Sequence, residues 1–504
     1  MHLPRSRPRA YALTAVAVLA GAALAVAATG PSSTESPYLV PVAPGVSFTS
    51  ILTVGDTVNT RPDGTPYRMV GIPDGLGAFE DECDGTFTVL MHHELGDTAG
   101  IARRHGAKGA FVSKWTVDKD TLEVLHGEDL IQRVARWTPA GWDTSLPVAF
   151  NRLCSADLPE RSAFWNQRTK RGYKGRLFMN GEERGAEGLA YAHAMDGTSY
   201  QLPWLGRFSW ENCVANPATG DRTVVVGTDD DGAGQLYVYV GTKNKTGATP
   251  VDLAGLTNGV LYGVKVTGFP AELPVTGIPT GTAFTAYALG DVSGTTGAVL
   301  QTTSRAAGVT EFNRPEDACW DPRNPDDLYF VTTASFTGSS RLWRLSFVDA
   351  AHPELGGTLS MLLDGTEGQR MLDNLTMNRK GELILQEDPG GQEHLAKVWR
   401  YDVATDTLTL LAQHDPVRFT TGGADFRTID EESSGVIDVS DILGKGTYLL
   451  DVQAHYAKPD AELVQGGQLL LMRIEKPRKA HDRDDGCDRD DDRRDDDRRD
   501  RCDD

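Results

Sequence analysis

The sequence of 504 residues lacks the short motifs that mark several common catalytic sites. It has no Gly-x-Ser-x-Gly segment, which would present a serine nucleophile on a sharp turn, and no Walker A loop for a nucleotide phosphate. His92-His93-Glu94 does not have the His-Glu-x-x-His spacing of a zinc protease, and none of the six cysteines is spaced as Cys-x-x-Cys. Asp229-Asp230-Asp231-Gly232 lacks the alternate spacing of an EF-hand loop. A serine hydrolase of this type, a P-loop enzyme and a zincin are therefore excluded, and no zinc site or redox dithiol is expected.

Basic residues are too few for a nucleic-acid-binding surface. The chain has 50 Lys and Arg against 71 Asp and Glu, which gives a formal net charge of −21. Because a phosphate backbone requires basic patches, this balance argues against a nucleic-acid partner and favours cations. Residues 481–504 contain 13 Asp and 7 Arg, a net charge of −6, so −15 belongs to the rest of the chain. The folded region is predicted to be acidic in its own right.

Long hydrophobic runs are also missing, except near the N-terminus. Three arginines precede an uncharged apolar run at 10–28, which closes with Ala25-Val26-Ala27. This pattern predicts a cleaved secretory signal peptide over residues 1–28, and the alternative is a transmembrane anchor, since such a run can just span a bilayer. We expect a secreted, monomeric protein without stable membrane insertion after cleavage of the signal.

The C-terminal segment cannot form a core. Residues 477–504 are predicted to be a disordered tail rich in Asp and Arg, which solubilises the protein or, alternatively, collects calcium or adheres to surfaces. Residues 29–476 remain as one folded domain.

The body of the chain predicts repeated β-hairpins. Glycine and proline make up 80 of the 504 residues, which suits a turn-rich β protein. Three aromatic strands are each followed by a polar turn and a second strand, at 113–118 and 121–125, 342–345 and 358–362, and 398–402 and 407–411. Further strands are predicted at 235–240 and 468–472. The pattern predicts an all-β fold, a propeller of six blades with large inserted loops, and the alternative is an array of β-sandwiches.

Acidic residues recur where the predicted strands end. Seven segments place carboxylates beside Gly, Pro, Asn or Arg at such ends; these are 92–96, 181–184, 210–213, 228–232, 313–317, 372–375 and 386–390. Each acid alone is typical of a solvated turn, but a propeller brings such ends together around its axis. Ca²⁺ takes about 6 to 8 oxygen ligands, which a ring of Glu and Asp can supply. The sequence therefore predicts a calcium site.

The cysteines do not determine a disulfide pairing. Cys83, Cys154, Cys213 and Cys319 lie in the body and permit three disulfide pairings, among which the sequence does not choose. Cys487 and Cys502 could close a small loop in the tail.

Several segments in chain order resemble the bacterial family of PhoX-type secreted alkaline phosphatases. The resemblance extends from about residue 45 to 475 and rests on the segments Met91-His92-His93-Glu94-Leu95-Gly96, Arg314-Pro315-Glu316-Asp317-Ala318-Cys319-Trp320-Asp321-Pro322, Asp373-Asn374, Ile437-Asp438-Val439-Ser440-Asp441-Ile442-Leu443 and Leu450-Asp451-Val452-Gln453-Ala454-His455-Tyr456. It implies that residues 29–476 form one metallohydrolase-like β-propeller domain of six blades, with an axial site that holds calcium and oxo-bridged iron, and that the domain hydrolyses phosphomonoesters.

The resemblance also implies roles for individual residues. Arg314 resembles the arginine that clamps phosphate and is the predicted catalytic residue. The predicted metal ligands are Glu183, Glu211, Glu316, Asp230, Asp373 and Glu94. Gly181 stands where the family has a cysteine before two paired glutamates, which puts iron in doubt and favours an all-oxygen calcium site. Cys213 is an alternative source of the thiolate.

The implied mechanism requires no side-chain nucleophile. Cations bind the phosphate oxygens, Arg314 adds a bidentate clamp, and a metal-bound oxide or hydroxide attacks in line. A calcium propeller that acts on phytate or a lactone, and a non-catalytic calcium-binding propeller for which Gly181 is the main argument, remain alternatives.

Overall fold

A computed structural model describes residues 27–80 and 84–475, which are mostly β-strand. The predicted signal peptide up to residue 26, Cys83, the predicted tail at 477–504 and both of its cysteines lie outside the described residues.

The strands of the first half of the chain are β1 Ala27–Thr29, β2 Leu39–Pro41, β3 Val46–Thr53, β4 Thr57–Thr60, β5 Pro66–Arg68, β6 Pro73–Phe79, β7 Thr86–His93, β8 Phe111–Asp118, β9 Val124–Asp129, β10 Arg133–Thr138, β11 Gly141–Asp143, β12 Leu153–Asp157, β13 Trp165–Asn166, β14 Arg171–Gly172, β15 Leu177–Glu182, β16 Ala190–Ala194, β17 Thr198–Gln201, β18 Trp210–Ala215, β19 Arg222–Asp229 and β20 Gly234–Thr242.

The second half continues the same pattern, with a few short helices between strands. Its strands are β21 Val260–Val266, β22 Thr282–Gly290, β23 Glu311–Phe312, β24 Pro315–Asp321, β25 Asn324–Thr332, β26 Arg341–Phe347, β27 Gly357–Leu363, β28 Leu372–Met377, β29 Glu382–Glu387, β30 Lys397–Asp402, β31 Thr407–His414, β32 Glu431–Asp438, β33 Thr447–Ala457 and β34 Gln465–Ile474. The helices are α1 Pro250–Ala254, α2 Gly297–Ala307, α3 Pro416–Phe419 and α4 Ser440–Leu443. No helix within the described ranges is long and apolar enough to cross a membrane.

Antiparallel groups of four strands repeat along the chain. They are β6-β7-β8-β9, β12-β15-β16-β17, β18-β19-β20-β21, β24-β25-β26-β27, β28-β29-β30-β31 and β32-β33-β34-β3. The last group joins both ends of the fold, because β3 pairs with the C-terminal strand β34. β22 pairs with both β21 and β27, so it links the third and fourth groups into one extended sheet.

The first strand of each group faces the centre of the molecule. β6, β12, β18, β24, β28 and β32 each contact the next of these strands, and β32 contacts β6, so the ring closes. We call these the inner strands. A ring built in this way brings the starts of six strands, which are far apart in the sequence, to one place.

Apolar side chains fill the spaces between neighbouring groups. Six clusters of buried residues form, one between each pair of adjacent groups around the ring. Trp115 on β8, Trp343 on β26 and Trp399 on β30 are buried in three of them. These tryptophans mark the aromatic strands that the sequence predicts, and their burial explains why the pattern is visible there.

The predicted β-rich chain is confirmed, and so are the three predicted hairpins. β8 pairs with β9, β26 with β27 and β30 with β31. One boundary differs, because the second strand of the first hairpin begins at Val124 rather than at Thr121. Asp118 Oδ1 accepts hydrogen bonds from Thr121 N at 2.8 Å and Oγ1 at 2.8 Å, which extends the turn by these residues.

Candidate metal centre

The same backbone hydrogen bond recurs in all six groups at the start of the inner strand. In five groups the donor is the residue that follows the second strand, and in the sixth it is His455, which lies within β33. Each donor gives its N–H to the carbonyl of the residue that precedes the inner strand, at 2.8–3.0 Å. The six donor and acceptor pairs are Glu94 to Ile72, Glu183 to Arg152, Asp230 to Ser209, Thr333 to Arg314, Asp388 to Met371 and His455 to Asp430. We call the donors the second-strand positions. The repeat makes residues equivalent across the groups.

The residue two places after each of these acceptors has a titratable side chain. These six residues, which we call the inner-strand positions, are Asp74, Cys154, Glu211, Glu316, Asp373 and Glu432. In the first five groups the pairing of the inner strand is interrupted by a bulge at this point. A bulge re-aims side chains at a strand end, and here it falls at the titratable residue of each strand.

The backbone before four of the inner strands is unusual. Ile72, Arg152, Arg314 and Met371 have φ angles of 53°, 49°, 58° and 41°, in the left-handed region that non-glycine residues seldom adopt. Such conformations cost about 1–3 kcal/mol each and concentrate at functional sites. The repeated geometry therefore points to a site at the starts of the inner strands.

Four overlapping clusters of possible ligand atoms connect the two sets of positions. Within each cluster the atoms lie within 4.8 Å of one another. The clusters are Asp74 with Glu94 and Cys154, Cys154 with Glu183 and Glu211, Glu211 with Glu316 and Asp373, and Asp373 with Asp388 and Glu432. They share Cys154, Glu211 and Asp373, so the acids form one continuous arc.

Six of the carboxyl groups in this arc have a raised pKa and therefore resist ionisation. Burial raises the pKa of Glu211 well above its usual range, and the neighbouring Asp373 and Glu183 raise it further. Burial and nearby acids likewise raise the pKa of Asp74, Glu316 and Glu432. Burial raises the pKa of Glu183 to about 8, although Arg152 opposes the shift. Like charges so close together need protons or cations.

Two arginines contact the arc. Arg314 binds Asp230 through Nε–Oδ1 and Nη2–Oδ2 contacts of 2.7 Å and 2.8 Å, and its Nη2 lies 2.8 Å from Glu316 Oε1. Arg152 Nε lies 2.7 Å from Glu94 Oε1, and its Nη2 forms an ion pair with Glu183. The four clusters contain eight carboxyl groups, so two guanidinium groups leave most of the potential negative charge uncompensated.

A polar layer lies directly beneath the acids. Ser155 Oγ donates to Glu211 Oε1 at 2.6 Å, and Asn374 Nδ2 donates to Ser155 Oγ at 2.5 Å. Asn212 Nδ2 donates to Asp317, which also accepts from Leu375 N at 2.9 Å. All four polar residues immediately follow inner-strand positions. Beneath them a cavity of about 1280 Å³ runs along the inner strands to their far ends, so the layer separates the acids from this cavity.

Most of the predicted site residues come together. Glu94, Glu183, Glu211, Glu316 and Asp373 all belong to the four clusters. Asp230 lies beside them but is bound to Arg314, so its geometry is that of a residue that orients the guanidinium rather than of a cluster member. Glu182, the first member of the paired glutamates, faces Asn151 and Tyr191 instead.

The sequence prediction did not assign five residues of the site, although Asp388 lies in one of its seven acidic segments: Asp74, Cys154, Asp388, Glu432 and Arg152. A signal for three of them is present, because aligning the segments around the inner-strand positions gives a repeat. The segments are Ile72-Pro73-Asp74-Gly75, Arg152-Leu153-Cys154-Ser155, Ser209-Trp210-Glu211-Asn212, Arg314-Pro315-Glu316-Asp317, Met371-Leu372-Asp373-Asn374 and Asp430-Glu431-Glu432-Ser433. In the same alignment Arg152 and Arg314 occupy the same position.

The structure assigns the thiol of the site to a different cysteine from the one that the sequence suggested. Cys213 is buried in the apolar cluster between the second and third groups, so it is not a substitute ligand. Cys154 Sγ instead lies 3.1 Å from Glu183 Oε2. Among the described cysteines, Cys154, Cys213 and Cys319 are all free, so no disulfide forms between them.

Gly181 does not mark a lost ligand. A Cβ at this position would lie 2.1 Å from Trp210 Cβ and 2.4 Å from its Cγ, so the tryptophan occupies the space that a cysteine would need. The argument from Gly181 against a thiolate ligand, and with it the main argument for a protein without catalysis, therefore does not hold.

Gly181→Cys is expected to destabilise the protein by about 1–3 kcal/mol, the usual cost of overpacking, without increasing the amount of bound metal. Thermal unfolding and elemental analysis measure the two effects. Gly294→Cys is the matched control, because a Cβ at Gly294 meets no atom within 4 Å. Extra bound iron in Gly181→Cys would contradict the assignment of the thiol to Cys154.

The residues present fit a hard cation. Eight carboxyl groups and one thiol converge, most of them buried, and few donors are available to neutralise them. Hard cations such as Ca²⁺ are bound by carboxylate oxygens, whereas a thiolate suits a softer metal such as iron. The donor set is thus compatible with calcium along the arc and with a softer metal beside Cys154.

Comparison with known proteins finds a matching family model and solved structures that resemble this chain. The family model described as alkaline phosphatase PhoX matches residues 192–357, which contain Glu211, Asp230, Arg314 and Glu316. No curated protein matches the sequence. Among solved structures, PhoX of Pseudomonas fluorescens in complex with vanadate, a transition-state analogue, matches with a TM-score of 0.57 at 12% identity, covering 88% of this chain and 98% of that chain.

Two further structures are more distant. A protein of unknown function from Dyadobacter fermentans has a TM-score of 0.41 at 10% identity, covering 86% of this chain and 100% of that one. The Hadza microbial sialidase Hz136 has a TM-score of 0.37 at 11% identity, covering 85% and 70%. These values support no conclusion, and the match to the Pseudomonas protein indicates a shared fold.

Proposed function

We propose that the chain is a member of the PhoX alkaline phosphatase family of metal-dependent phosphomonoesterases, whose model matches residues 192–357, and that it hydrolyses phosphomonoesters at the candidate metal centre. The observation that carries the proposal is the convergence of eight carboxyl groups, the Cys154 thiol and the Arg314 guanidinium at the starts of the inner strands. The sequence offers no serine nucleophile motif, so the site's chemistry depends on cations.

Calcium is the cation we propose for the carboxylate arc, with iron beside Cys154 as a second possibility that the thiol supports. When bound, such cations supply Lewis acidity for phosphoryl oxygens. The residues that would hold them are the inner-strand positions together with Glu94, Glu183 and Asp388.

Arg314 is the residue we assign to the substrate's phosphoryl group. Asp230 holds its guanidinium through two contacts and Glu316 through a third, and these contacts use Nε and Nη2. A guanidinium fixed in this way is pre-organised for a phosphate oxygen, and its planar fork matches phosphate geometry. One third of the side chain is exposed, so a small substrate can reach it.

The surrounding residues hold the site in a fixed geometry and limit the access of water from the cavity side. Ser155 donates a hydrogen bond to Glu211 and is itself held by Asn374, and Asn212 ties Asp317 to the same layer. Because this layer closes the site towards the cavity, substrate and product exchange from the side of Arg314.

We further propose that the fold is a six-bladed propeller, since six four-stranded groups each contribute one strand to the closed ring. We also propose that the protein is secreted, because residues 1–28 have the composition of a signal peptide, and that it acts as a monomer on small phosphomonoesters.

The test is turnover of p-nitrophenyl phosphate before and after treatment with EDTA, with metal content measured in parallel. We expect activity in the purified protein, its loss on chelation and its recovery on adding Ca²⁺, with or without iron. A purified protein that contains no metal and is equally inactive before chelation and after calcium is restored would reject the proposal.

A further inference from the structure

Arg152 occupies the same position as Arg314 in a different group of strands. Each arginine immediately precedes an inner strand, and each has a left-handed backbone, with φ of 49° for Arg152 and 58° for Arg314. The carbonyl of each accepts the repeated hydrogen bond, from Glu183 N at 2.9 Å and from Thr333 N at 3.0 Å. The two side chains therefore leave the ring from equivalent points, separated by the one group that carries Glu211.

The two arginines also make equivalent contacts. Arg152 reaches back to Glu94, the second-strand position of the preceding group, at 2.7 Å, as Arg314 reaches back to Asp230 at 2.7 Å and 2.8 Å. Each then binds a second acid of its own group, which is Glu183 for Arg152 and Glu316 for Arg314. Both guanidinium groups are thus fixed by two carboxylates of the arc.

Arg152 is accessible from outside. Its side chain is 49% exposed and that of Arg314 is 33% exposed, whereas their partner carboxylates are between 4% and 13% exposed. A residue that only neutralised buried acids would not need this exposure. The exposed guanidinium faces incoming ligands while the carboxylates below hold it in place.

We propose that Arg152 is a second phosphate-binding residue, which with Arg314 holds the substrate's phosphoryl group from two sides of the group that carries Glu211. The proposal rests on the phosphomonoesterase function proposed above. A phosphomonoester dianion has three non-bridging oxygens, so two guanidinium groups can each bind oxygens of the same phosphoryl group while others face the cations. Arg152 thereby favours the dianion over singly charged phosphodiesters.

The experiment compares Arg152→Ala, Arg152→Lys and wild type for KM and kcat with p-nitrophenyl phosphate and for competitive inhibition by inorganic phosphate. Hydrogen bonds to charged groups predict a 10- to 100-fold rise in both KM and the phosphate inhibition constant for Arg152→Ala, with a smaller change in kcat. Arg152→Lys keeps the positive charge but not the planar guanidinium, so its KM and inhibition constant should lie between those of wild type and Arg152→Ala. Metal content is expected to stay that of wild type.

Arg133→Ala is the matched control. Arg133 lies on β10 of the same sheet, is 51% exposed and pairs with Asp196 at 3.1 Å, so its loss removes a similar ion pair away from the acids. Its kinetic constants should equal those of wild type.

Three results would overturn the proposal. The first is a phosphate inhibition constant for Arg152→Ala within twofold of wild type. The second is loss of bound metal in parallel with phosphate affinity in both Arg152 variants, which would make Arg152 a support for Glu94 and Glu183. The third is a metal-loaded wild type that neither turns over nor binds phosphate, which would reject the proposed function together with this inference.

Discussion

Glu211→Gln is expected to lower phosphatase activity at least about 100-fold, the upper end of the losses seen when metal-site partners are removed, and to reduce the amount of bound metal. Glu211 is at the centre of the arc, since it belongs both to the cluster with Cys154 and Glu183 and to the cluster with Glu316 and Asp373. A glutamine keeps the size and can still accept the hydrogen bond from Ser155, but it carries no charge for a cation. Turnover of p-nitrophenyl phosphate and elemental analysis measure the two effects.

The same substitution should have the opposite effect on the metal-free protein. Burial and neighbouring acids raise the pKa of Glu211 far above its usual range, so ionising it at pH 8 without a cation is unfavourable. Chelated Glu211→Gln is therefore expected to melt at a higher temperature than chelated wild type at pH 8. A purely structural role for Glu211 would give lower stability with and without metal.

Glu182→Gln is the control for this prediction. Glu182 is also a buried glutamate, and burial raises its pKa to about 7, but it accepts from Asn151 N at 3.1 Å and lies outside the four clusters. Its replacement should leave metal content and activity within about twofold of wild type, the range of a change away from the site. Equal loss of metal from both variants would contradict the assignment of Glu211 to the metal centre.

The sequence revealed the acids that lie at the end of a clear apolar strand and have polar neighbours. Glu94 follows β7, and Asp230 follows β19, and both of these strands are long and apolar. Glu316 was visible through its flanking Arg314 and Pro315. The repeat of aromatic hairpins made the β-rich fold predictable for a similar reason, because each buried tryptophan is followed by a turn and a further strand.

Asp74, Cys154 and Glu432 lack such a signal in any single segment. The inner strands are buried on both faces and bulged, so β6 and β12 show no alternation of apolar and polar residues that would mark Asp74 or Cys154. Glu432 is adjacent to Glu431, and only the fold decides which of the two joins the arc. Gly181 was misleading because a sequence comparison cannot show that Trp210 fills the adjacent space.

The stability of the protein is expected to depend on pH in opposite ways with and without calcium. For a carboxyl group whose pKa is higher in the folded than in the unfolded state, the contribution to stability is complete below the unfolded value, near 4, and is lost as the pH rises through the folded value. Burial raises the pKa of Glu183 to about 8 and that of Asp317 to about 7, and it raises the pKa of Asp74, Glu211 and Glu316 well above the usual range. The melting temperature of the chelated protein should therefore fall between pH 5 and pH 8.

Calcium reverses this trend because it binds the ionised carboxylates and competes with protons. At a calcium concentration a thousand times its dissociation constant, one site adds about 4 kcal/mol to the free energy of unfolding, and the addition shrinks as protons occupy the ligands at pH 5. Calcium should thus raise the melting temperature far more at pH 8 than at pH 5. Sodium chloride at matched ionic strength is the control, since screening alone would act without a specific site. A chelated protein whose melting temperature stays constant or rises between pH 5 and pH 8, or an equal effect of calcium at both pH values, would contradict a cation site built from these buried acids.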